Sequence, residues 1–262
     1  MNNYQAPTRF VGKMTKYIKS CESTNALAFD ESLSLDLPEG FAWVAGHQTA
    51  GKGQRGNQWF AEPNQNLLVS YLFKPPHGLL SNQFYLSKCV AMGVISGIQN
   101  WSKQHIGHPL PTSIKWPNDI YVDEHKLGGI LIESNFQSGK WAFSIVGIGL
   151  NINQTAFDGL RATSLRQWTP TQNTINISEV FKHICIALEE SYELFTDQHF
   201  EEIDKLYHNQ LFRRQEWHTF QDESGFFKGK IKEVDAQGLI QIETEGQIKG
   251  YDIKELNFIF SE

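Results

Sequence analysis

The chain has 262 residues, 40% of them hydrophobic and 13% aromatic, enough for one large domain or a large domain with a small companion. Lys and Arg number 23 against 29 Asp and Glu; the net charge of −6 argues against broad nucleic-acid binding, which needs a basic face. Cys21, Cys89 and Cys185 are scattered, with no C-x-x-C pair or clustered His. Neither a disulfide framework nor a zinc site is expected, and a reducing, cytoplasmic setting fits. No run approaches the ~18 apolar residues of a membrane span. Residues 1–10 are polar and lack the apolar centre of a signal peptide.

In chain order, Ser23-Thr24-Asn25 opens a short helix; N-capping is the default role of such residues, and ligand contact is the alternative. Phe41 to Ala45 reads as a strand, and Asn66 to Phe73 as another. After Ser81, as N-cap, the positions Leu86, Val90, Val94, Ile98 and Trp101 recur at helical spacing. Short strands follow at 114–116, 120–122, 127–133 and 141–148. The connections 123–125 and 135–140 are too short for crossover helices, so antiparallel hairpins are expected rather than a doubly wound parallel sheet. A second long helix follows Ser178, with Phe181, Ile184, Cys185, Leu188, Tyr192 and Phe195 on one face and Glu179 in its first turn.

Past Arg213-Arg214 the texture changes to alternating strands at 228–234, 239–244 and 247–253, which suits a small SH3-like barrel. A linker-like boundary is placed near Arg214 to Trp217, dividing the chain into 1–215 and 216–262. From Phe220 onward five Lys face nine Asp and Glu, a poor composition for nucleic-acid binding.

Three stretches carry the chemistry. Gly51-Lys52-Gly53-Gln54-Arg55-Gly56 matches G-x-G-x-x-G, but that fingerprint works only where a helix opens on it, and here a strand follows. No Gly-Lys-Ser/Thr closes it, so it is not a Walker loop either. What remains is a flexible glycine loop with two cations, able to fold over an anion or to stay a solvated surface loop. In Lys115-Trp116-Pro117-Asn118-Asp119, Pro117 biases Trp116 towards an extended conformation and leaves Lys115 at a strand end. A hairpin would bring Lys115 near Lys126, just before Gly128-Gly129. Two converging lysines call for an anion between them; the alternative is an ordinary exposed hairpin. Finally, the alternate glycines of Gly147-Ile148-Gly149-Leu150-Asn151 leave room for something to lie flat on the strand, or mark a bulge.

Taken together, these motifs resemble the biotin protein ligases over nearly the whole chain. The resemblance rests on Glu22-Ser23-Thr24-Asn25, Gln48 through Trp59, Lys115 through Asp119, Lys126 through Leu131, and Gly147 through Asn151. It implies an α/β (α+β) fold akin to the class II aminoacyl-tRNA synthetases, with a mixed, largely antiparallel sheet and a C-terminal SH3-like barrel. It implies a two-step reaction: biotin is activated by Mg-ATP as biotinyl-5′-AMP, then passed to a specific lysine of a biotin carboxyl carrier domain.

By the same resemblance Lys126, Arg55 and Lys115 carry the chemistry. Lys126 contacts the activated carboxylate, and Lys115 and Arg55 neutralise the triphosphate. Ser23, Thr24, Asn25 and Gln48 bond the ureido ring; Gly51, Lys52, Gly53, Gln54 and Lys126 count with the biotin site, and Gly128 and Gly129 line its floor. Trp59, Asn118, Asp119 and Asn151 hold ATP, with Asp119 also near Mg²⁺. Many relatives carry arginines where this chain has Lys52, Gln54 and Asn57, which implies a weaker closure of the loop over the adenylate. Only about twenty residues precede Glu22, too few for the helix-turn-helix of the regulatory relatives. A stand-alone ligase without DNA binding is therefore expected, with a homodimer left open. A lipoate or octanoate ligase and a non-catalytic binding module are the rival readings.

Overall fold

The computed structural model describes residues 4–171 and 173–260, and of Arg55 the backbone alone. A seven-stranded sheet is built from β1 (Thr15–Ile18), β2 (Ala42–Ala45), β3 (Leu67–Phe73), β4 (Thr112–Lys115), β5 (Asp119–Val122), β6 (His125–Gln137) and β7 (Lys140–Leu150), in the order β1-β2-β3-β7-β6-β5-β4. Only β1 and β2 run parallel; every other neighbouring pair is antiparallel, as the short connections required.

The period of two along the central strands decides what each face does. Leu67, Val69, Tyr71 and Phe73 of β3, with Val146, Ile148 and Leu150 of β7, join the large core beneath α2 (Gln83–Ile106) and α3 (Ile177–Thr196). On the opposite face, Leu72 and Ile145 pack under α1 (Thr24–Ser34) with Ala28, Trp43 and Phe143. Ser70, Gly147 and Gly149 share that second face. The sequence thus interrupts an apolar surface with a hydroxyl and two missing side chains, and the cleft opens there.

Helices α2 and α3 approach closely because Gly93 and Gly97 lie one turn apart: a Cβ on either would stand 2.9 Å from Leu188 Cα or 2.7 Å from Ile184 Cα. Two helix starts differ from expectation. Ser81 lies in a 3₁₀ turn (Leu80–Asn82), and α2 begins at Gln83 with Asn82 at the cap and no side-chain cap bond. The cap of α3 is Asn176, whose side chain accepts from Ser178 N; an Asn two residues upstream intercepts the role.

A second sheet follows α4 (Phe200–Asn209), comprising β8 (Trp217–Asp222), β9 (Gly225–Val234), β10 (Ile240–Thr244), β11 (Gln247–Tyr251) and β12 (Asn257–Phe258), antiparallel in the order β11-β10-β9-β8-β12. Sequence reasoning passed over β1, α4, β8 and β12, which are short or half-exposed. The stretch 210–216, which runs into the linker-like boundary placed at Arg214 to Trp217, is no free tether. Ile114 N donates to Gln210 O, Phe212 N to Ile114 O and Gln215 N to Ile231 O, so it is sewn to both sheets. Phe220, Ile231, Val234, Ile240 and Ile242 merge with the large core of the first sheet.

Candidate functional site

A small cleft of about 50 Å³, open to solvent, lies on the second face of the first sheet. One wall is neutral. Ser23 caps α1, accepting from Ala26 N, and so places Thr24 and Asn25 in the first turn, where both are buried. Thr24 donates to Gln48 Oε1 twice, from its backbone N at 2.7 Å and its hydroxyl at 2.9 Å. Behind them Ser70 Oγ lies 2.8 Å from Thr24 Oγ1 and 2.6 Å from Asn25 Oδ1. Asn25 Nδ2 donates to Leu131 O and Glu133 Oε2. Both amide hydrogens of Asn25 are thereby used within the protein, although the residue lines the cleft.

The facing wall is charged. Lys126 Nζ stands 2.6 Å from Asp119 Oδ1, with their side chains 34% and 18% exposed, so water still reaches the pair and a ligand anion can compete for the cation. Register places Asp119 opposite Lys115, and Tyr121 opposite Lys126. Asp119 therefore pairs with Lys126, while the expected convergence of two lysines on one anion is not what the hairpin builds. Lys115 Nζ itself turns away from the cleft, 4.9 Å above the Phe258 ring and 5.6 Å above Tyr121. Burial lowers its pKa; Asp119 opposes the fall, while Lys126 and Arg213 add to it. Asn118 Nδ2 donates to Ile130 O, and Ile130 N donates back to Asn118 O, bracing the turn after Pro117; the Trp116–Pro117 bond is cis. Trp116 Nε1 donates to Gly238 O in the second sheet.

The floor explains the alternate glycines. A Cβ on Gly147 would lie 2.1 Å from Asn25 Oδ1, and one on Gly149 would lie 2.5 Å from Trp59 Cε2. Each glycine is the seat of one flat side chain. Trp59 also spans Gly129 and lies 5.7 Å beneath Lys126 Nζ, and its own Nε1 is buried without a hydrogen-bond partner. That leaves one indole donor unsatisfied within the protein.

The glycine loop is more ordered than expected. Trp59 N donates to Gly51 O and Gly53 N to Asn57 O, while Lys52 bridges Gln58, so residues 51–59 form a small two-rung hairpin. Its tip is the 3₁₀ turn Gln54–Gly56. No helix opens on it, which removes the dinucleotide-fingerprint reading. Gly51 is needed at its base, where a Cβ would meet Trp59 O at 2.4 Å.

The cleft gathers Ser23, Thr24, Asn25, Gln48, Lys52, Gly53, Gln54, Trp59, Asn118, Asp119, Lys126 and Gly129. Gly51, Lys115, Gly128 and Asn151 are not among the described residues that line it. Gly128 packs against the Gly149 carbonyl. Asn151 is fastened elsewhere, with Nδ2 donating to Thr163 O and its backbone N to Leu127 O. The side chain of Arg55, expected on the triphosphate, lies outside the described residues. Sequence reading missed Ser70 and Glu133. The available signal was each one's isolation: a single small polar residue in Leu67–Phe73, and the first carboxylate after Lys126 in a strand otherwise apolar to that point. Among the described residues no group of three or more His, Cys, Asp or Glu is arranged to hold a metal. Asp119 alone fits a Mg²⁺ that arrives already bound to phosphates, since that ion is commonly held through one carboxylate and its substrate's oxygens.

Known proteins resemble this chain in sequence and fold. The family model for the biotin/lipoate A/B protein ligase family matches residues 17–151, which contain every cleft residue named above. The chain is 29% identical over 247 residues to the bifunctional ligase/repressor BirA of Bacillus subtilis, covering 92% of this chain and 73% of that protein. It is 30% identical over 132 residues to a biotin–[acetyl-CoA-carboxylase] ligase of Mycobacterium tuberculosis, 50% of this chain and 47% of that one. The biotin protein ligase of Aquifex aeolicus, solved in complex with biotin and ATP, superposes with a TM-score of 0.75 at 26% identity, covering 95% of this chain and 100% of the other. The match spans more than half of the sequence and contains the cleft, so this chain belongs to the biotin/lipoate A/B protein ligase family.

Proposed function

We propose that the protein is an ATP-dependent biotin protein ligase, which forms biotinyl-5′-AMP and transfers the biotinyl group to a lysine of a biotin carboxyl carrier domain. The observation that carries this reading is a single cleft with a neutral hydrogen-bonding wall at Thr24 and Gln48 facing an ammonium, Lys126, above an aromatic plate, Trp59. The neutral wall suits a polar, uncharged ring; the ammonium suits the carboxylate at the other end of the same molecule. In the first step a carboxylate oxygen attacks the α-phosphorus of Mg-ATP and pyrophosphate departs. Negative charge builds on the α-phosphoryl oxygens, and Lys126, moving from Asp119 to that charge, stabilises it. Asp119 is then released to meet the Mg²⁺ that accompanies the nucleotide. In the second step the carrier's amine attacks the acyl carbonyl and AMP leaves.

The reading assigns the activated carboxylate to Lys126, the ureido side to Ser23, Thr24, Asn25 and Gln48, and the nucleotide to Trp59, Asn118, Asp119, Lys115, Arg55 and Asn151. It assigns residues 1–215 to catalysis and 216–262 to the barrel, and places the reaction in the cytoplasm. The acidic composition supports a partner list without DNA. The test is incubation with Mg-ATP and a biotin carrier domain, comparing biotin with lipoate and following acceptor mass. A biotin-dependent gain that Lys126→Ala abolishes is expected. A gain with lipoate alone moves the chain to the lipoate branch of the family.

A further inference from the structure

We propose that Glu133 is a positioning residue: through Asn25 and Ser70 it sets which atoms of the neutral wall are left for the ligand. It does not line the cleft, so it acts only through other residues.

The wall holds fewer hydrogens than its oxygens need. An ionised carboxylate and a backbone carbonyl only accept. Asn25 must therefore turn its Nδ2 towards Glu133 Oε2, 2.9 Å away, and Leu131 O, 3.2 Å away. That fixes the amide, and its Oδ1 faces Ser70 Oγ at 2.6 Å. Oδ1 has no hydrogen, so the single hydrogen of the fully buried Ser70 is committed to it. Ser70 then offers only lone pairs to Thr24 Oγ1, 2.8 Å away. Gln48 Oε1 is fixed in the same way, because the Thr24 backbone N–H at 2.7 Å can only donate to it. Thr24 is left with one hydroxyl hydrogen for two acceptors, Ser70 Oγ and Gln48 Oε1.

The wall is therefore one hydrogen short. An incoming N–H relieves the shortage, whereas an incoming group without one leaves buried oxygens facing each other, at a cost typical of an unsatisfied buried polar group. The acceptor oxygen of Glu133, three hydrogen bonds away from Thr24, thus makes the wall an acceptor for a ring carrying N–H groups and selects against a ring that has none. This rests on the biotin-ligase reading, in which the ring is the ureido ring and the rejected competitor is a dithiolane.

The test measures biotin-dependent exchange of pyrophosphate into ATP, with KM for biotin and for ATP, in wild type, Glu133→Ala, Glu133→Gln and Ser70→Ala. Glu133→Ala removes the nearer of the two acceptors that orient Asn25, and a biotin KM raised about 10- to 100-fold with ATP KM and kcat little moved is expected. Glu133→Gln can still turn a carbonyl oxygen to Asn25, so it should stay within roughly 3-fold of wild type. Ser70→Ala cuts the relay without touching the charge and reproduces the KM effect, which keeps the proposal testable should Glu133→Ala fold poorly. An unchanged biotin KM in both Glu133→Ala and Ser70→Ala overturns the proposal. So does an equal rise in both KM values with a fall in melting temperature, which marks a general structural role. A wild type that exchanges nothing with biotin overturns the biotin-ligase reading itself, and this proposal with it; an active wild type with indifferent variants overturns this proposal alone.

Discussion

The two walls of the cleft are built on opposite principles. At Thr24, Asn25, Gln48 and Ser70 the groups are neutral, mostly buried and held by several short hydrogen bonds. At Asp119 and Lys126 the groups are charged and partly wet, and the ammonium has a provisional partner. A neutral wall can be organised before the ligand arrives, because its groups cost little to hold dry once bonded. An isolated cation held dry would cost far more, so Lys126 rests on Asp119 until a ligand carboxylate and phosphate replace it. Recognition is fixed in advance; the charge that does the chemistry is exchangeable.

Breaking the charged wall should have the largest effect. Lys126→Ala is expected to lower kcat for adenylate formation about 10²- to 10³-fold, the usual loss for one transition-state charge contact, with biotin affinity changed far less. Single-turnover adenylation beside equilibrium biotin binding separates the two; an equal loss in both would erase the distinction between the walls. On the neutral side, Gly147→Ala drives a methyl into Asn25 Oδ1. Biotin KM should rise roughly 10-fold, comparable to losing one well-placed hydrogen bond, while ATP KM holds.

A lysine outside the charged wall also titrates. Burial depresses the Lys115 pKa below the ordinary 10.5, so it sheds its proton as pH rises through that lowered value, earlier than a free lysine. A rate that uses this charge falls on the alkaline side of the profile, and Lys115→Arg, whose guanidinium stays protonated, moves the fall to higher pH. An alkaline limb identical in the two proteins would detach Lys115 from catalysis. The smallest effect concerns the hairpin tip. Gln54→Arg adds a cation beside the cleft and should slow release of the adenylate about 3-fold, the scale of a partly exposed ion pair. Stopped-flow dissociation of biotinyl-AMP measures it, and an unchanged rate removes the tip from the account.

Much of the site was legible because its motifs are local. Lys115 and Lys126 share a hairpin, and Thr24 is set by a cap one residue before it. The antiparallel texture followed from connections too short to cross over. What escaped was whatever depends on partners far along the chain. Nothing local says that Asn25 spends its amide on Leu131 and Glu133, more than a hundred residues away. Nor does anything near Lys115 announce Phe258. The fully buried Lys88 reads as a polar position in an amphipathic helix, yet its ammonium bonds Asp204 Oδ1 and Val234 O, tying α2 to α4 and β9. The boundary near Arg214 to Trp217 hid its contacts for the same reason: Arg214 N donates to Leu211 O and Gln215 N to Ile231 O in β9.

That last seam bears on how the protein is made. When residue 215 leaves the ribosome, every side chain of the cleft has been synthesised. Even so, the indole of Trp116 must wait for a carbonyl 122 residues downstream of it, and the ammonium of Lys88 for one 146 residues downstream. The hairpin that carries Asp119 and Lys126 therefore reaches its final setting only after the small sheet has been delivered, and the nascent chain is whole in composition before it is whole in form.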